Sequence, residues 1–308
     1  MTPTSGSSSS SRSKEFWMGF FLAGLGAVLF SAKAIVVKVT YRYGVDPLTV
    51  IGFRMMLSLP FFALVGVFQA RKARRGELAR LTPKEGLQIA MLGFIGYYLA
   101  SLLDFIGLQY VSAGLERLIL FLSPTFVLLI TALYFKRPIA GRQWLALVLS
   151  YVGVALVFMQ DLSLGGDQVL LGAGFLLASA MSYSIYLISS GELLKRVGAT
   201  RLVAYAMTVS SIVTMVHFFL VHSWQGLDQP LAVYQLSLFH AVVNTVAPVF
   251  MIMWSVARIG APMTSQLSML GPISVLFLAG WILDEPVTSL QLVGTAFVLI
   301  GAVVLSRR

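Results

Sequence analysis

The stretch that decides the fold is residues 108–157, which read LQYVSAGLERLILFLSPTFVLLITALYFKRPIAGRQWLALVLSYVGVALV. A later stretch, residues 256–305, reads VARIGAPMTSQLSMLGPISVLFLAGWILDEPVTSLQLVGTAFVLIGAVVL and aligns with the first without a gap, at a spacing of 148. Pro124 aligns with Pro272 in this register. The chain therefore contains an internal repeat.

One loop carries opposite charges in the two copies of the repeat. Lys136-Arg137 in the first copy aligns with Asp284-Glu285 in the second. Basic loops of membrane proteins stay in the cytoplasm, whereas acidic loops are free to cross. The exchange of charge is what we expect when the second copy enters the membrane from the other side.

The composition indicates an integral membrane protein. The chain has 308 residues, of which 58% are hydrophobic and 11% charged, and its mean hydropathy is +0.87. Its apolar runs exceed the roughly 18 residues that mark a membrane-spanning helix. The net charge of +10 would suggest nucleic acid as a partner of a soluble protein, but these basic residues lie mostly in short loops beside apolar runs. We interpret them as topology signals and expect a lipid bilayer, not nucleic acid, around the chain.

Apolar runs bounded by charges, glycine or proline predict an all-α membrane protein with ten transmembrane helices, arranged as two inverted five-helix repeats. The predicted spans are 16–37, 47–69, 86–108, 112–135, 141–159, 168–190, 202–221, 233–256, 262–283 and 289–306. With both termini in the cytoplasm, most of the 22 lysines and arginines fall on the cytoplasmic side. The outer loops instead carry acidic residues, namely Asp46, Asp161, Asp167, Asp228, Asp284 and Glu285.

The predicted domains follow from this repeat. Residues 1–15 are polar and Ser-rich and are predicted to form a disordered cytoplasmic tail. The first repeat covers residues 16–160 and the second covers residues 168–308. Inverted repeats serve alternating access, because two similar halves can expose one central site to each side in turn. The alternative is that duplication only built a stable bundle.

Three stretches of the chain resemble the EamA-type transporters, the ten-span, two-repeat members of the drug/metabolite transporter superfamily. They are SAGLERLILFLSPTFVLLITALYFKRP, its weaker second copy GAPMTSQLSMLGPISVLFLAGWILDEP, and the opening FSAKAIVVKVTYRYGVDPLTVIGFRM. Together they cover most of both repeats. The resemblance implies transport of amino acids, other metabolites or xenobiotics, commonly across a bacterial inner membrane, and it does not specify a substrate.

Five ionisable residues fall inside the predicted spans of the first repeat: Lys33, Arg54, Asp104, Glu116 and Arg117. Such a group costs about 2.5 kcal/mol or more inside the membrane and usually faces the bundle interior or a cavity. All five belong to the outer half of the membrane, so we expect one network. Three bases and two acids leave an excess of positive charge, which favours a substrate with a carboxylate.

Each of these residues has a functional and a structural interpretation. Asp104 is our first candidate for proton coupling or for binding a substrate ammonium group, and the alternative is an ion pair with Lys33 or Arg54. Arg54 either binds a substrate carboxylate with its planar fork or is the fixed partner of Asp104. Lys33 either joins the network or extends to the outer headgroups. Glu116 is a site candidate, or else an acidic residue that stabilises a helix N-terminus.

The second repeat offers milder polar groups. His240 and Asn244 are four residues apart and share a helix face, so they are candidates for the site, although a histidine hydrogen-bonded in the core is the commoner case. Pro124 and Pro272 are expected to kink their helices and to act as hinges. Six aromatic residues either wall a cavity or pack in the bundle: Tyr97, Tyr98, Tyr183, Tyr186, Tyr205 and Trp254.

The sequence predicts a secondary transporter that exports amino acids or related small organic metabolites by alternating access. An uncoupled facilitator or an uptake permease is the alternative, and an intramembrane enzyme is a remote one. The sequence has no Gly-rich phosphate-binding loop, which argues against an ATP-driven pump, and no His-Glu-x-x-His motif. We expect no metal and no cofactor. Protons are the expected coupling ion, with downhill uniport as the alternative, and the oligomeric state is left open.

Overall fold

Ten helices of the described chain are long and apolar enough to cross a bilayer, which confirms the all-α, ten-helix membrane fold. The computed structural model describes residues 7–136 and 138–306, and these residues form no β-strand. The basic residues Arg137, Arg307 and Arg308, predicted to be cytoplasmic, lie outside the described residues. The ten segments, named span 1 to span 10, are Lys14–Tyr41, Pro47–Arg74, Pro83–Leu108, Ala113–Tyr134, Gly141–Gly165, Gln168–Gly191, Ala199–His222, Leu231–Gly260, Met263–Leu283 and Ser289–Ser306.

Several spans are built from more than one helix. The α-helices are Ser7–Ser31, Lys33–Tyr41, Pro47–Arg74, Pro83–Gly93, Ala100–Leu108, Ala113–Leu120, Ser123–Phe135, Gly141–Gly165, Gln168–Val197, Ala199–His222, Leu231–Ala241, Ala247–Leu267, Leu270–Leu278 and Ser289–Ser306. Three π-helical turns, Phe94–Leu99, Val242–Val246 and Ala279–Leu283, lie within spans 3, 8 and 9. A 3₁₀ turn, Trp224–Leu227, precedes span 8.

The first helix begins earlier than the sequence predicts. It starts at Ser7, so residues 7 to 15 of the predicted disordered tail are helical, while residues 1 to 6 of that tail lie outside the described residues. Adding residues to an existing helix costs much less than starting one. The apolar part of span 1 therefore carries helical structure into the serine-rich segment before it.

Local polar side chains determine where spans 2 and 3 begin. The Asp46 carboxylate accepts hydrogen bonds from the N–H groups of Leu48 at 2.8 Å and Thr49 at 3.1 Å. Thr82 and Glu85 form a capping box at the start of span 3, in which each side chain bonds the other residue's backbone N–H. Both caps satisfy N–H groups that the helix itself leaves free.

The ten spans pack in a pattern that pairs the two halves of the chain. Span 1 packs along span 8, and span 6, its counterpart in the second half, packs along span 3. Span 2 packs along span 7, and span 5 packs along span 10. Every one of these major contacts therefore joins one half to the other.

Irregular backbone recurs at the spacing of the repeat. The π-helical turn Phe94–Leu99 in span 3 is matched by Val242–Val246 in span 8, and their first residues are 148 apart. Lys136 and Asp284, also 148 apart, both end their spans in the left-handed conformation, with φ of 51° and 58°. Non-glycine residues adopt this conformation infrequently. The second copy thus repeats the backbone as well as the sequence.

The two ends of the bundle are packed differently. We call the end formed by the loops after the odd-numbered spans the Glu285 end, and the opposite one the Arg196 end. The largest apolar core joins spans 1, 2, 3, 4, 7, 8 and 9 mainly at the Glu285 end, with members that include Val37, Phe53, Phe105, Phe218 and Val275. The core at the Arg196 end joins only spans 3, 6 and 7, through Ile89, Leu92, Tyr186, Leu193, Val197, Leu202 and Ala206.

Candidate functional site

The five charged residues singled out in the first repeat are all buried. Lys33, Arg54, Asp104, Glu116 and Arg117 come from spans 1 to 4, and each exposes 8% or less of its surface. The structure therefore places them inside the bundle. It leaves a charged region enclosed by apolar helices.

A single lysine serves both carboxylates of this group. Lys33 Nζ donates a hydrogen bond to Asp104 Oδ2 and lies 3.3 Å from Glu116 Oε1. Asp104 Oδ1 and the two Glu116 oxygens accept no hydrogen bond from any described residue. Lys33 is therefore in the network and does not extend to the membrane surface, and Asp104 pairs with Lys33, not Arg54.

Arg54 is held by a serine and by a stack of rings. Its Nη2 donates to Ser101 Oγ at 3.1 Å, and its Cζ lies 5.0 Å from the centroid of the Phe105 ring. The ring of Phe105 also stacks on His240, with 5.8 Å between centroids and an interplanar angle of 19°. The stack connects Arg54 of the first repeat to span 8 of the second.

Arg117 points away from its neighbour Glu116. Adjacent residues on a helix are about 100° apart, and Glu116 is directed toward Lys33. The Cζ of Arg117 instead lies 5.6 Å from the centroid of the Phe30 ring. No acidic group of the described chain forms a salt bridge with Arg117, and its Nε has no hydrogen-bond partner there. It is a buried cation with a free donor.

The two polar candidates of the second repeat are also buried. Asn244 Nδ2 donates to the carbonyl oxygen of Leu29 at 2.6 Å, just before span 1 is interrupted at Ala32. His240 Nε2 and Asn244 Oδ1 have no partner among the residues described. Span 8 thus contributes unpaired polar atoms beside span 1.

Tyrosines lie next to the charged group, on the side of the Arg196 end. Tyr97 and Tyr186 are joined through their hydroxyl oxygens, 3.1 Å apart, and Tyr183 stacks on Tyr186 at 5.5 Å. Tyr98 hydrogen-bonds His217 Nδ1 at 2.9 Å. Trp254, in contrast, is 55% exposed and lies apart from these rings.

Both candidate hinge prolines follow a helix break. The helix Ala113–Leu120 ends before the turn at residues 121–122, and Ser123–Phe135 begins with Pro124 as its second residue. Pro272 is the third residue of Leu270–Leu278, which follows a turn at residues 268–269. The breaks fall at nearly equivalent positions of the two repeats. Their use as hinges stays a prediction.

The Glu285 end is closed by a carboxylate for which the sequence indicates only a topology role. Glu285 Oε1 is 2.6 Å from Lys38 Nζ, and the Ala113 N–H donates to both Glu285 oxygens, at 3.2 and 3.0 Å. We call this group the Glu285 latch. Lys38 is a basic residue in a loop predicted to be outer, and this exception to the charge pattern is the signal of the contact in the sequence. Its partner lies 247 residues away, so sequence spacing could not reveal the contact.

Two further contacts tie the same end. Asp161 Oδ2 accepts a hydrogen bond from the Ser112 N–H at 2.8 Å, and Thr288 Oγ1 donates to Gln160 Oε1. Spans 4, 5 and 10 are thereby joined beside the latch. This end of the bundle is closed by polar contacts above its apolar core.

Basic residues at the Arg196 end also make contacts between spans. Arg196 Nε lies 2.8 Å from Glu85 Oε1, and Arg201 Nη1 donates to the carbonyl oxygen of Ala79 at 2.6 Å. Among the residues described, no cluster of three or more His, Cys, Asp or Glu side chains is suited to hold a metal ion.

The fold and the site together define a class: a ten-helix membrane protein whose two halves enclose a buried charged centre. The family model for the EamA-like transporter family matches residues 17–159 and 170–307. The chain belongs to this family. It is a membrane transporter of small solutes, not an enzyme.

Individual relatives agree with this assignment. The chain is 33% identical over 307 residues, 94% of each protein, to the uncharacterized transporter YcbK of Bacillus subtilis. It is 27% identical over 214 residues, 67% of this chain and 63% of the relative, to the S-adenosylmethionine/S-adenosylhomocysteine transporter of Chlamydia trachomatis. A crystal structure at 15% identity shares the fold, with a TM-score of 0.60 over 95% of this chain and 96% of the other.

Proposed function

We propose that this transporter exports amino acids or related metabolites across a bacterial cytoplasmic membrane by alternating access, with both termini in the cytoplasm. The observation that carries the proposal is the buried group of both charge signs, which leaves donors and acceptors without partners at the centre of the bundle. A solute with a carboxylate and an ammonium group matches such a centre. S-adenosylmethionine and S-adenosylhomocysteine, named for the Chlamydia relative, both contain an amino-acid group.

We infer that residues 16–160 and 168–308 are inverted copies. A Cβ at Gly153 would lie 2.5 Å from the Gly294 carbonyl oxygen, and one at Gly301 would lie 2.9 Å from that of Ala146. Gly301 is the counterpart of Gly153, and Gly294 is the counterpart of Ala146. The contact of Gly153 with Gly294 is therefore repeated by the contact of their counterparts, Gly301 and Ala146. Such a reciprocal pair of contacts is expected across a twofold axis that makes spans 5 and 10 antiparallel.

Alternating access also requires one end to open while the other is closed. The apolar core and the Glu285 latch join both repeats at the Glu285 end, whereas the core at the Arg196 end involves three spans only. With the basic loops in the cytoplasm, the Glu285 end faces outward. The proposed resting form is therefore closed to the outside and less tightly packed on the cytoplasmic side.

Proton exchange at Asp104 or Glu116 is the proposed driving force. The two carboxylates share one ammonium group, so one of them can take up a proton while the other keeps its cation. Asp104→Asn and Glu116→Gln should each reduce flux in proteoliposomes and flatten its pH dependence. Intact flux with an intact pH profile in the double variant would leave downhill uniport as the mechanism.

The function is tested by mass spectrometry of the medium. Cells that overproduce the chain are compared with empty-vector cells and with cells that make Asp104→Asn at equal level. We expect an amino acid or a derivative of one to accumulate outside only with the intact chain. Equal accumulation with the variant would keep export and remove Asp104 from the mechanism. Depletion of a solute from the medium would indicate an uptake permease.

A further inference from the structure

We propose that Arg117, Ser31 and Gly271 form a subsite for a carboxylate at the junction of spans 1, 4 and 9. The inference rests on the transport function proposed above, because it names the part of the substrate that binds there. Arg117 is preferred over the other buried bases for three reasons, which concern its free donors, the close packing on Gly271 and the surrounding charges.

The first reason is that Arg117 is buried with its hydrogen-bonding capacity unused. Its residue is 8% exposed, and within the described chain its Nε finds no acceptor and its guanidinium no acidic partner. A buried charge is strongly unfavourable while it stays unpaired. The Cζ of Arg117 lies 5.6 Å from the centroid of the Phe30 ring, and no described hydrogen bond occupies the edge of the guanidinium. That edge matches the two oxygens of a carboxylate.

The second reason is that a second free donor converges on the same point. Ser31 is fully buried, and its Oγ has no hydrogen-bond partner among the described residues. A Cβ at Gly271 would lie 2.5 Å from Ser31 Oγ and 2.7 Å from Arg117 Nη2. Only glycine lets both side chains approach the backbone of span 9 this closely. A methyl group there would displace the two donors from each other and from the helix.

The third reason is that both carboxylates form their ion pairs with Lys33, and neither forms one with Arg117 among the described residues. Glu116 and Asp104 both contact the ammonium group of Lys33, and they attract Arg117 only at longer range. Arg54 already donates to Ser101 and lies against Phe105. The cation available to a ligand is therefore at Arg117, and the carboxylates available to a ligand lie around Lys33. A substrate carboxylate belongs at the first, and an ammonium group, where present, at the second.

The test is equilibrium binding by the purified protein in lipid nanodiscs. The probes are the twenty standard amino acids and the α-amide of each, which keeps the α-ammonium group but lacks the charge of the α-carboxylate. We expect at least one amino acid to bind, and its amide to bind at least tenfold more weakly. Arg117→Gln should weaken the acid at least tenfold and leave the amide unchanged, whereas Ser31→Ala and Gly271→Ala should each weaken the acid at least tenfold. Arg117→Lys should bind the acid with an affinity between those of the wild type and Arg117→Gln.

Gly174→Ala is the matched control, because no heavy atom lies within 4 Å of the added methyl group. Each variant is first checked for a monodisperse elution profile and a cooperative unfolding transition. If acid and amide bind equally, if Arg117→Gln binds like the wild type, or if no amino acid binds, the subsite is overturned. Export of a solute without a carboxylate would overturn the subsite alone, whereas absence of any transport would overturn the proposed function.

Discussion

At the scale of single residues, Lys33 should contribute most to stability, since its ammonium group is the cation that Asp104 and Glu116 share. Lys33→Met leaves two carboxylates in an apolar setting without a cation. Breaking a buried pair in this way costs about 3–5 kcal/mol of unfolding free energy. Asp104→Asn should cost less, because Lys33 keeps Glu116 as its partner.

The measurement is denaturant unfolding of the purified variants in detergent. Lys84→Met is the control for the substitution itself, since Lys84 is exposed and should change stability by less than about 0.5 kcal/mol. The prediction is contradicted if Lys33→Met is as stable as this control, or more stable than Asp104→Asn.

Asp46 gives a prediction for pH. Burial tends to raise the pKa of this carboxyl, but hydrogen bonds from Thr49 and Leu48 and the neighbouring His222 outweigh it, so its pKa lies below the ordinary value. A lowered pKa means stabilisation that is complete above the unfolded-state pKa of about 4 and is lost as the pH falls further. Asp46→Ala should lower the unfolding temperature at pH 7, and the difference from wild type should shrink at acid pH. A pH-independent difference would oppose this.

At the scale of elements, the helices were predictable and their interruptions were not. Apolar length located all ten spans, because a segment that crosses a bilayer has to be long and apolar whatever its neighbours are. Nothing in the residue pattern distinguishes a π-helical turn from α-helix, so Phe94–Leu99 and Val242–Val246 went unpredicted. The break of span 1 at Ala32 was likewise not predictable, because no proline or glycine lies at this position.

The contact of spans 5 and 10 depends on glycine. Gly153→Ala places a methyl group 2.5 Å from the Gly294 carbonyl oxygen. The backbone of one of the two spans has to move to relieve this clash. Overpacking of this kind costs about 1–3 kcal/mol. Gly86→Ala is the matched change, because no atom lies within 4 Å of its new methyl group, and it should be neutral or stabilising. Equal unfolding temperatures for the two variants would mean that spans 5 and 10 adjust freely.

At the scale of the whole molecule, the Glu285 latch should control access from one end. The chain has no cysteine, so Ala34→Cys provides a unique reporter in the fully buried core at that end. Glu285→Gln removes the charge that holds Lys38 and should raise the rate at which a membrane-impermeant maleimide labels this cysteine. Asp284→Asn is the matched control, since the neighbouring Asp284 is exposed. Equal labelling of the two variants would show that the latch does not close this end.

The burial of the charged residues was predictable from the sequence, whereas their pairing was not. An ionisable residue in an apolar span has to face the interior, so Lys33, Arg54, Asp104 and Glu116 could be selected from the sequence. Which base meets which acid depends on how spans 1 to 4 are rotated, and that rotation is set by packing. For the same reason Gly271, 154 residues from Arg117, gave no sign that it lies beside it.

The excess of positive charge at the centre of the bundle has an electrical consequence. With all five groups ionised, the empty centre carries one positive charge, which a bound monoanion cancels and a zwitterionic amino acid leaves in place. Moving one elementary charge through the membrane field is worth about 2.3 kcal/mol per 100 mV. In proteoliposomes with an imposed potassium diffusion potential, we therefore expect voltage to alter the return of the empty carrier, and to leave exchange between loaded forms unaffected for an anionic substrate but not for a zwitterionic one. The membrane potential of the cell would then act on this carrier through the return of its empty form.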